Sequence, residues 1–237
     1  MTIKFSKMNS NGNDFLITEN PKIFSVDINH ISDRNNGIGF DQILLVNPIP
    51  SKFKVKILNS DGSSAQTCFN GLRCIAGLYN LKNQIISAPG GDVLCSSDDK
   101  MASVSTEFPK VRILEKISIA NIGNNHAIYE VTEIDNYNLE NSYKELAQNP
   151  ILPPNINLNV YEDMGDFFKI RTYENGAGET KSCGSGTVCT FAALSKMKDI
   201  YNAIFLSKGG KSHLRIENNI IVSTAPYILE YEGSIDE

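Results

Sequence analysis

Glu174-Asn175-Gly176-Ala177-Gly178-Glu179-Thr180-Lys181-Ser182-Cys183-Gly184-Ser185-Gly186-Thr187-Val188-Cys189 reads as a strand end, a glycine-rich turn and a cysteine on the first turn of a helix. The strand is residues 168–173, where apolar and polar side chains alternate. The helix is the apolar run from Val188 through Leu194 to Met197. Backbone N–H groups at a helix start lack intrahelical partners and carry the positive end of the dipole. Such a place lowers a thiol pKa and can hold an anion. A small buried cysteine in a turn fits the same stretch equally well.

A second copy breaks the tie. Cys68-Phe69-Asn70-Gly71-Leu72-Arg73-Cys74 repeats the Cys-x-x-Gly-x-x-Cys spacing of Cys183 to Cys189 at an offset of 115 residues. Asn59 ends an alternating strand nine positions before Cys68, as Glu174 does before Cys183. Gly12-Asn13-Asp14-Phe15 pairs with Gly123-Asn124-Asn125-His126, and Gly90-Gly91 with Gly209-Gly210, in the same order. The pattern is an internal duplication, with two halves of one architecture.

The chain has 237 residues and a net charge of −5. Its length allows one large or two small domains. There is no basic block, so neither nucleic acid nor an anionic membrane is an expected partner. No apolar run reaches spanning length, and the N-terminal residues lack a signal-peptide pattern. A soluble cytoplasmic protein is expected, with its five cysteines reduced.

Residues 2–8 and 15–18 read as strands around a polar loop, where Asn-Gly by itself favours a hairpin. Ile28 to Arg34 reads as a short helix and 43–46 as a strand. The intervening Gly37-Ile38-Gly39 turn lacks the lysine of a phosphate loop and the third glycine of a dinucleotide fingerprint. A helix is expected over 72–81, a hairpin across Pro89-Gly90-Gly91, and a crossover between halves near Pro109. Residues 132–158 look least regular, with a short helix at 140–148. Strands follow at 214–216, 220–222 and 227–231.

Structural zinc sites mostly use Cys-x(2–4)-Cys pairs, and redox pairs use Cys-x-x-Cys; neither spacing occurs. Cys74 and Cys189 therefore read as core residues. One nucleophilic cysteine would leave the duplication unexplained. Two similar thiols suit inversion at a carbon bearing a proton: one removes it as thiolate and the other delivers one as thiol. Two helix starts aimed at the adjacent carboxylate would stabilise the charge that builds there.

The motifs 12–15, 37–42, 59–63, 70–74, 176–180 and 183–186 together resemble the diaminopimelate epimerases, over nearly the whole chain and in the family's order. The resemblance implies an α/β (α+β) fold of two pseudo-symmetric halves, each a mixed sheet wrapped around a central helix, with the active site in the cleft between them. It places one half at 1–109, with 228–237 returning to it, and the other at 110–227. It implies a pyridoxal-independent LL-/meso-diaminopimelate epimerase of lysine and cell-wall synthesis. No metal or organic cofactor is implied. The partner is a small amino-acid substrate; a homodimer is a possible assembly.

Carried over by motif, Cys68 and Cys183 match the catalytic pair, and His126 and Glu174 the polar pair that tunes them. Asn13, Gln42, Asn59, Asn124, Asn157 and Asn175 match substrate contacts, with Glu174 beside them. Phe69-Asn70 and Gly184-Ser185 match the helix starts that hold the reacting carboxylate. Three positions depart. Asn175 stands where the family has an arginine that grips the substrate's distal carboxylate, a bond of roughly 1.5–3 kcal/mol. Phe69 stands for a glycine, and should narrow or cap the pocket. Asn125 stands for a proline. Two alternatives follow: a racemase or epimerase of another amino acid, or a non-catalytic binding protein on the same fold. Phenazine-type isomerases share the fold logic but use a carboxylate instead of the two cysteines.

Overall fold

The computed structural model describes residues 2–236; Met1 and Glu237, both assigned above to the first half, lie outside the described residues. In chain order the elements are β1 (Thr2–Ser10), β2 (Asn13–Thr18), α1 (Ile28–Ser32), β3 (Gln42–Ile49), β4 (Lys52–Asn59), β5 (Ser64–Ala65), α2 (Phe69–Leu78), β6 (Gln84–Ala88), β7 (Gly91–Asp98) and β8 (Met101–Glu107). They continue as β9 (Lys110–Ile113), β10 (Ser118–Asn121), β11 (Asn125–Glu130), α3 (Leu139–Ala147), β12 (Asn157–Asp163), β13 (Phe168–Glu174) and β14 (Gly178–Thr180). The last are α4 (Gly184–Lys198), β15 (Asn202–Ser207), β16 (Gly210–Glu217), β17 (Ile220–Pro226) and β18 (Ile228–Asp236). Two compact units form, Met1–Val104 with Ala225–Glu237, and Ser105–Thr224.

In the first unit β1 lies antiparallel between β18 and β2. β2 runs parallel to β3, β3 antiparallel to β4, and β4 parallel to β6. In the second unit β11–β12 is parallel, β12–β13 antiparallel and β13–β15 parallel. The registers repeat as well. Phe15 faces Gln42 as His126 faces Asn157. Ile57 faces Ala65 as Thr172 faces Thr180. Parallel neighbours need a crossover: α1 and α3 lie in the β2–β3 and β11–β12 connections, and α2 and α4 in the β4–β6 and β13–β15 connections.

Both helices are buried on all sides. Phe69 to Ala76 of α2 and Ser185 to Ser195 of α4 are buried without a break. A helix covered all round must be wrapped by other elements. Each therefore serves as the axis that its mixed sheet curls around.

The structure also differs from the pattern reading in several places. The Asn11-Gly12 pair is a two-residue hairpin with φ of 50° and 79°. Both values are left-handed, so β2 begins at Asn13 rather than after a long loop. Both central helices begin earlier than their apolar runs, at Phe69 and Gly184, with the cysteines as N-caps in extended backbone. α2 also ends earlier, at Leu78. The stretch 118–163, in part read as irregular, holds three strands, because their polar residues are buried and interrupt the alternation. Cys74 and Cys189 are fully buried, as core residues should be.

Candidate active site

Cys68 caps α2 with φ −151° and ψ 100°. Cys183 caps α4 with φ −120° and ψ 110°. Extended backbone at this position turns the next N–H groups outward along the helix axis, where they lack intrahelical acceptors. Those groups belong to Phe69 and Asn70 in one unit, and to Gly184 and Ser185 in the other. Phe69 itself is buried in the core, so its ring is not an exposed cap.

In the first unit the predicted amides are joined in one direction. Arg73 Nη2 donates to Asn70 Oδ1. Asn70 Nδ2 donates to Asn13 Oδ1 at 2.5 Å, and Asn13 Nδ2 to Asp41 Oδ2 at 3.3 Å. The chain runs from a cation to a carboxylate, and this fixes which way each amide faces. Gln42 Nε2 donates to Asn59 Oδ1 at 2.9 Å, and Asn59 Nδ2 to Ser63 Oγ at 2.9 Å. Gln42 Oε1 is buried with no hydrogen-bond partner among the described residues. Asp14, beside this group, accepts from Lys7 at 2.6 Å and from both Arg34 nitrogens. Burial pushes its carboxyl up, but the Arg34 and Lys7 bonds outweigh that and hold it well below the usual carboxylate range.

In the second unit His126 is fully buried. Thr172 Oγ1 donates to Asn159 Oδ1 at 3.0 Å, so Asn159 presents its amide hydrogens to Ala127 O and to His126 Nδ1 at 3.0 Å. The imidazole proton is therefore on Nε2, which donates to Asn124 Oδ1 at 3.1 Å. Asn124 Nδ2 then reaches Ser185 Oγ at 3.4 Å, itself 3.4 Å from Cys183 Sγ. Burial pulls His126 down to about 3, so the ring is neutral. Glu174 accepts from Thr180 Oγ1 at 2.7 Å. Asn157 Oδ1 accepts from the Asn175 N–H at 2.9 Å, and its Nδ2 donates to Asn125 O. Asn175 Oδ1 accepts from Tyr143 Oη at 2.7 Å, and Tyr143 stacks on Tyr173 with centroids 4.2 Å apart.

The structure joins Asn13 to Asn70 at the start of α2, and His126 and Asn124 through Ser185 to Cys183, while Gln42 pairs with Asn59, Asn157 with Asn175, and Glu174 with Thr180. Sequence reasoning missed Asn159, Thr172, Arg73 and Tyr143. Asn159 had a signal: it lies two residues after Asn157 on one strand face, a polar pair in a buried strand. Gly186 is required by contact, and Gly71 is closely packed. A methyl on Gly71 would lie 2.9 Å from Leu44 Cδ1, and one on Gly186 would overlap Asn159 Oδ1. A groove of about 580 Å³ in the first unit, lined by Glu19, Leu45, Lys54, Val55, Lys56 and Pro89 among others, contains none of the residues named above for the site.

In fold, the chain is similar to a phenazine biosynthesis PhzF family protein of Enterococcus faecalis. The TM-score is 0.73 over all of both chains, at 11% identity, which speaks to the fold alone. The sequence model described as diaminopimelate epimerase matches residues 5–111 and 118–229. A diaminopimelate epimerase of Psychrobacter sp. (strain PRwf-1) is 30% identical over 98% of this chain and 94% of its own length. One of Wigglesworthia glossinidia brevipalpis is 34% identical over 77% and 80%. The chain belongs to the diaminopimelate epimerase family.

Proposed function

We propose that the protein inverts the α-carbon of an amino acid without a cofactor, interconverting LL- and meso-diaminopimelate, with Cys68 and Cys183 as its acid–base pair. The observation that carries this is the recurrence of a cysteine N-cap on the buried helix of each unit, within a family match that spans both. An α-hydrogen next to a carboxylate is weakly acidic, because the carbanion's charge spreads onto a group already negative. N–H groups aimed at that carboxylate oppose the build-up, and they do so without reorganising during the reaction. One thiolate takes the proton from one face and the other thiol supplies a proton to the opposite face. The unfilled acceptor at Gln42 Oε1 suits an ammonium hydrogen.

Asn175 favours a second reading. Its Oδ1 is occupied by Tyr143, leaving amide hydrogens to offer a distal carboxylate. Neutral donors are worth roughly half a charge-assisted bond. Diaminopimelate is then held more weakly at that end, or an amino acid with an uncharged end takes its place.

Incubation with LL-diaminopimelate and with a panel of L-amino acids, resolved by chiral chromatography, tests both readings. Formation of the meso isomer, abolished in Cys68→Ala and Cys183→Ala, is expected. Inversion of another amino acid alone would move the substrate to the second reading. Inversion of none would put the binding-protein alternative first.

A further inference from the structure

Arg73 of α2 is a fully buried guanidinium whose hydrogen-bond partners are all neutral. Nε donates to Ser10 Oγ at 3.3 Å and Nη2 to Asn70 Oδ1, while Nη1 is buried with no partner among the described residues. Burial pulls the group down to about 10, which still leaves it a cation at neutral pH. A buried charge without a counterion is strongly unfavourable, so an anion is expected near it.

The ordinary candidates are already taken. Of the charged residues on β1, β2, β7 and β18, the strands packed against α2, Lys7 and Asp14 are the buried ones, and Glu230 on β18 lies beside Lys7. Lys7 pairs with Asp14 at 2.6 Å and with Glu230 at 3.5 Å. Asp14 also holds Arg34. Arg73 is electrostatically coupled to three thiols, Cys74, Cys68 and Cys95. Burial raises Cys74 far above its usual value and pushes Cys95 of β7 up to about 12, so both stay protonated. Cys68 remains. It precedes Arg73 by five residues, and long helix side chains lean toward the N-terminus. The Arg73 head already reaches back to Asn70, in the helix's first turn.

The second unit lacks this feature. The residue 115 positions after Arg73 is Val188, fully buried. Under the start of α4 lie Asn159, Thr172 and the neutral His126, where the first unit has Leu44, Ile57 and Phe15. Of the charged residues of this stretch, the exposed Lys181 lies two positions before Cys183. Those on α4, Lys196 and Lys198, lie at its far end, with Lys198 paired to Glu130 and Asp163. The two thiols therefore stand on unlike foundations despite their shared backbone geometry.

We propose that Arg73 is a positioning residue that makes Cys68 the thiolate of the resting protein and leaves Cys183 the thiol. The inference rests on the reading of these two cysteines as base and acid. In a turnover started from this state, the α-proton goes to Cys68 sulfur and its bonding pair stays on carbon. Cys183 then gives its proton to the other face, so the negative charge moves from one sulfur to the other. The isomer that presents its hydrogen to Cys68 meets a base already charged; its epimer needs the opposite state.

Site-resolved alkylation tests this without requiring turnover. The protein is treated with iodoacetamide across a pH series, and each cysteine's peptide is quantified by mass spectrometry. Midpoints rather than rates are compared, because Cys183 is the more buried thiol and only the thiolate reacts. In the wild type, Cys68 should titrate at lower pH than Cys183. Arg73→Met should raise the Cys68 midpoint by about one to three pH units and leave Cys183 in place. Arg73→Lys, which keeps the charge, should retain the low midpoint. A lower midpoint for Cys183 in the wild type overturns the proposal, whether or not the Met variant folds. So does a Met variant in which both midpoints move together or neither does. The expected labelling in a protein that inverts no amino acid would leave Arg73's role standing and remove only the functional reading.

Discussion

Lowering the pH from 7 to 5 should destabilise the fold by about 2 kcal/mol through His126 alone. The ring is fully buried between Asn159 and Asn124, and burial holds it down to about 3, against about 6.5 in an unfolded chain. Folding therefore favours the neutral form. The stability this gives is complete above pH 6.5 and is lost as the pH falls from there toward 3. Below 6.5 the unfolded chain binds one more proton, and the slope approaches about 1.4 kcal/mol per pH unit. Between pH 7 and 5 that sums to about 2 kcal/mol. Asp14 does not contribute in this window. Its carboxyl is depressed, so its contribution is complete above about 4 and fades only in stronger acid. Urea unfolding at both pH values, for wild type and His126→Gln, isolates the effect. The wild type should lose about 2 kcal/mol more than the variant. Equal losses in the two proteins would refute a buried, neutral imidazole.

Asp14→Asn removes the anion facing buried Lys7 and Arg34, and should cost about 3–5 kcal/mol in the same unfolding assay at pH 7; a loss below about 1 kcal/mol would show that the cluster is solvated. Gly186→Ala forces a methyl against Asn159 Oδ1 and should cost about 1–3 kcal/mol, with turnover falling as Ser185 shifts. Gly71→Ala, which meets the movable Leu44 side chain, should be milder in both readings. Asn175→Arg should lower KM for diaminopimelate about tenfold, since it replaces a neutral donor with a charged one; an unchanged KM, with kcat intact, would place the distal carboxylate elsewhere.

The duplication was legible because it is written in spacing, and spacing survives divergence. Cys68 and Cys183 share a nine-residue approach from a strand end, and the structure repeats the same strand registers on both sides. The helix starts beside the cysteines were legible from the repeated motif, although the apolar runs begin only at Leu72 and Val188 and the helices already at Phe69 and Gly184. Small and polar residues there are buried for contact, not for hydrophobicity. The strands around His126 and Asn159 were missed for the same reason, since a buried amide reads as surface in an alternation test. Arg73 entered the sequence reading only as a member of the first cysteine repeat. Its burial among neutral partners depends on which strands surround α2, and local sequence does not carry that.

The central claim is that protons leave and arrive through different thiols. It is tested most directly by turnover in heavy water, stopped at early conversion, with the α-position of substrate and product read separately by NMR. Two bases predict a product that carries deuterium from its first appearance, because the delivering thiol has exchanged with solvent, while the remaining substrate keeps its hydrogen. A product that retains the original hydrogen would mean that one group both removes and returns it, and the paired-thiol account would be wrong.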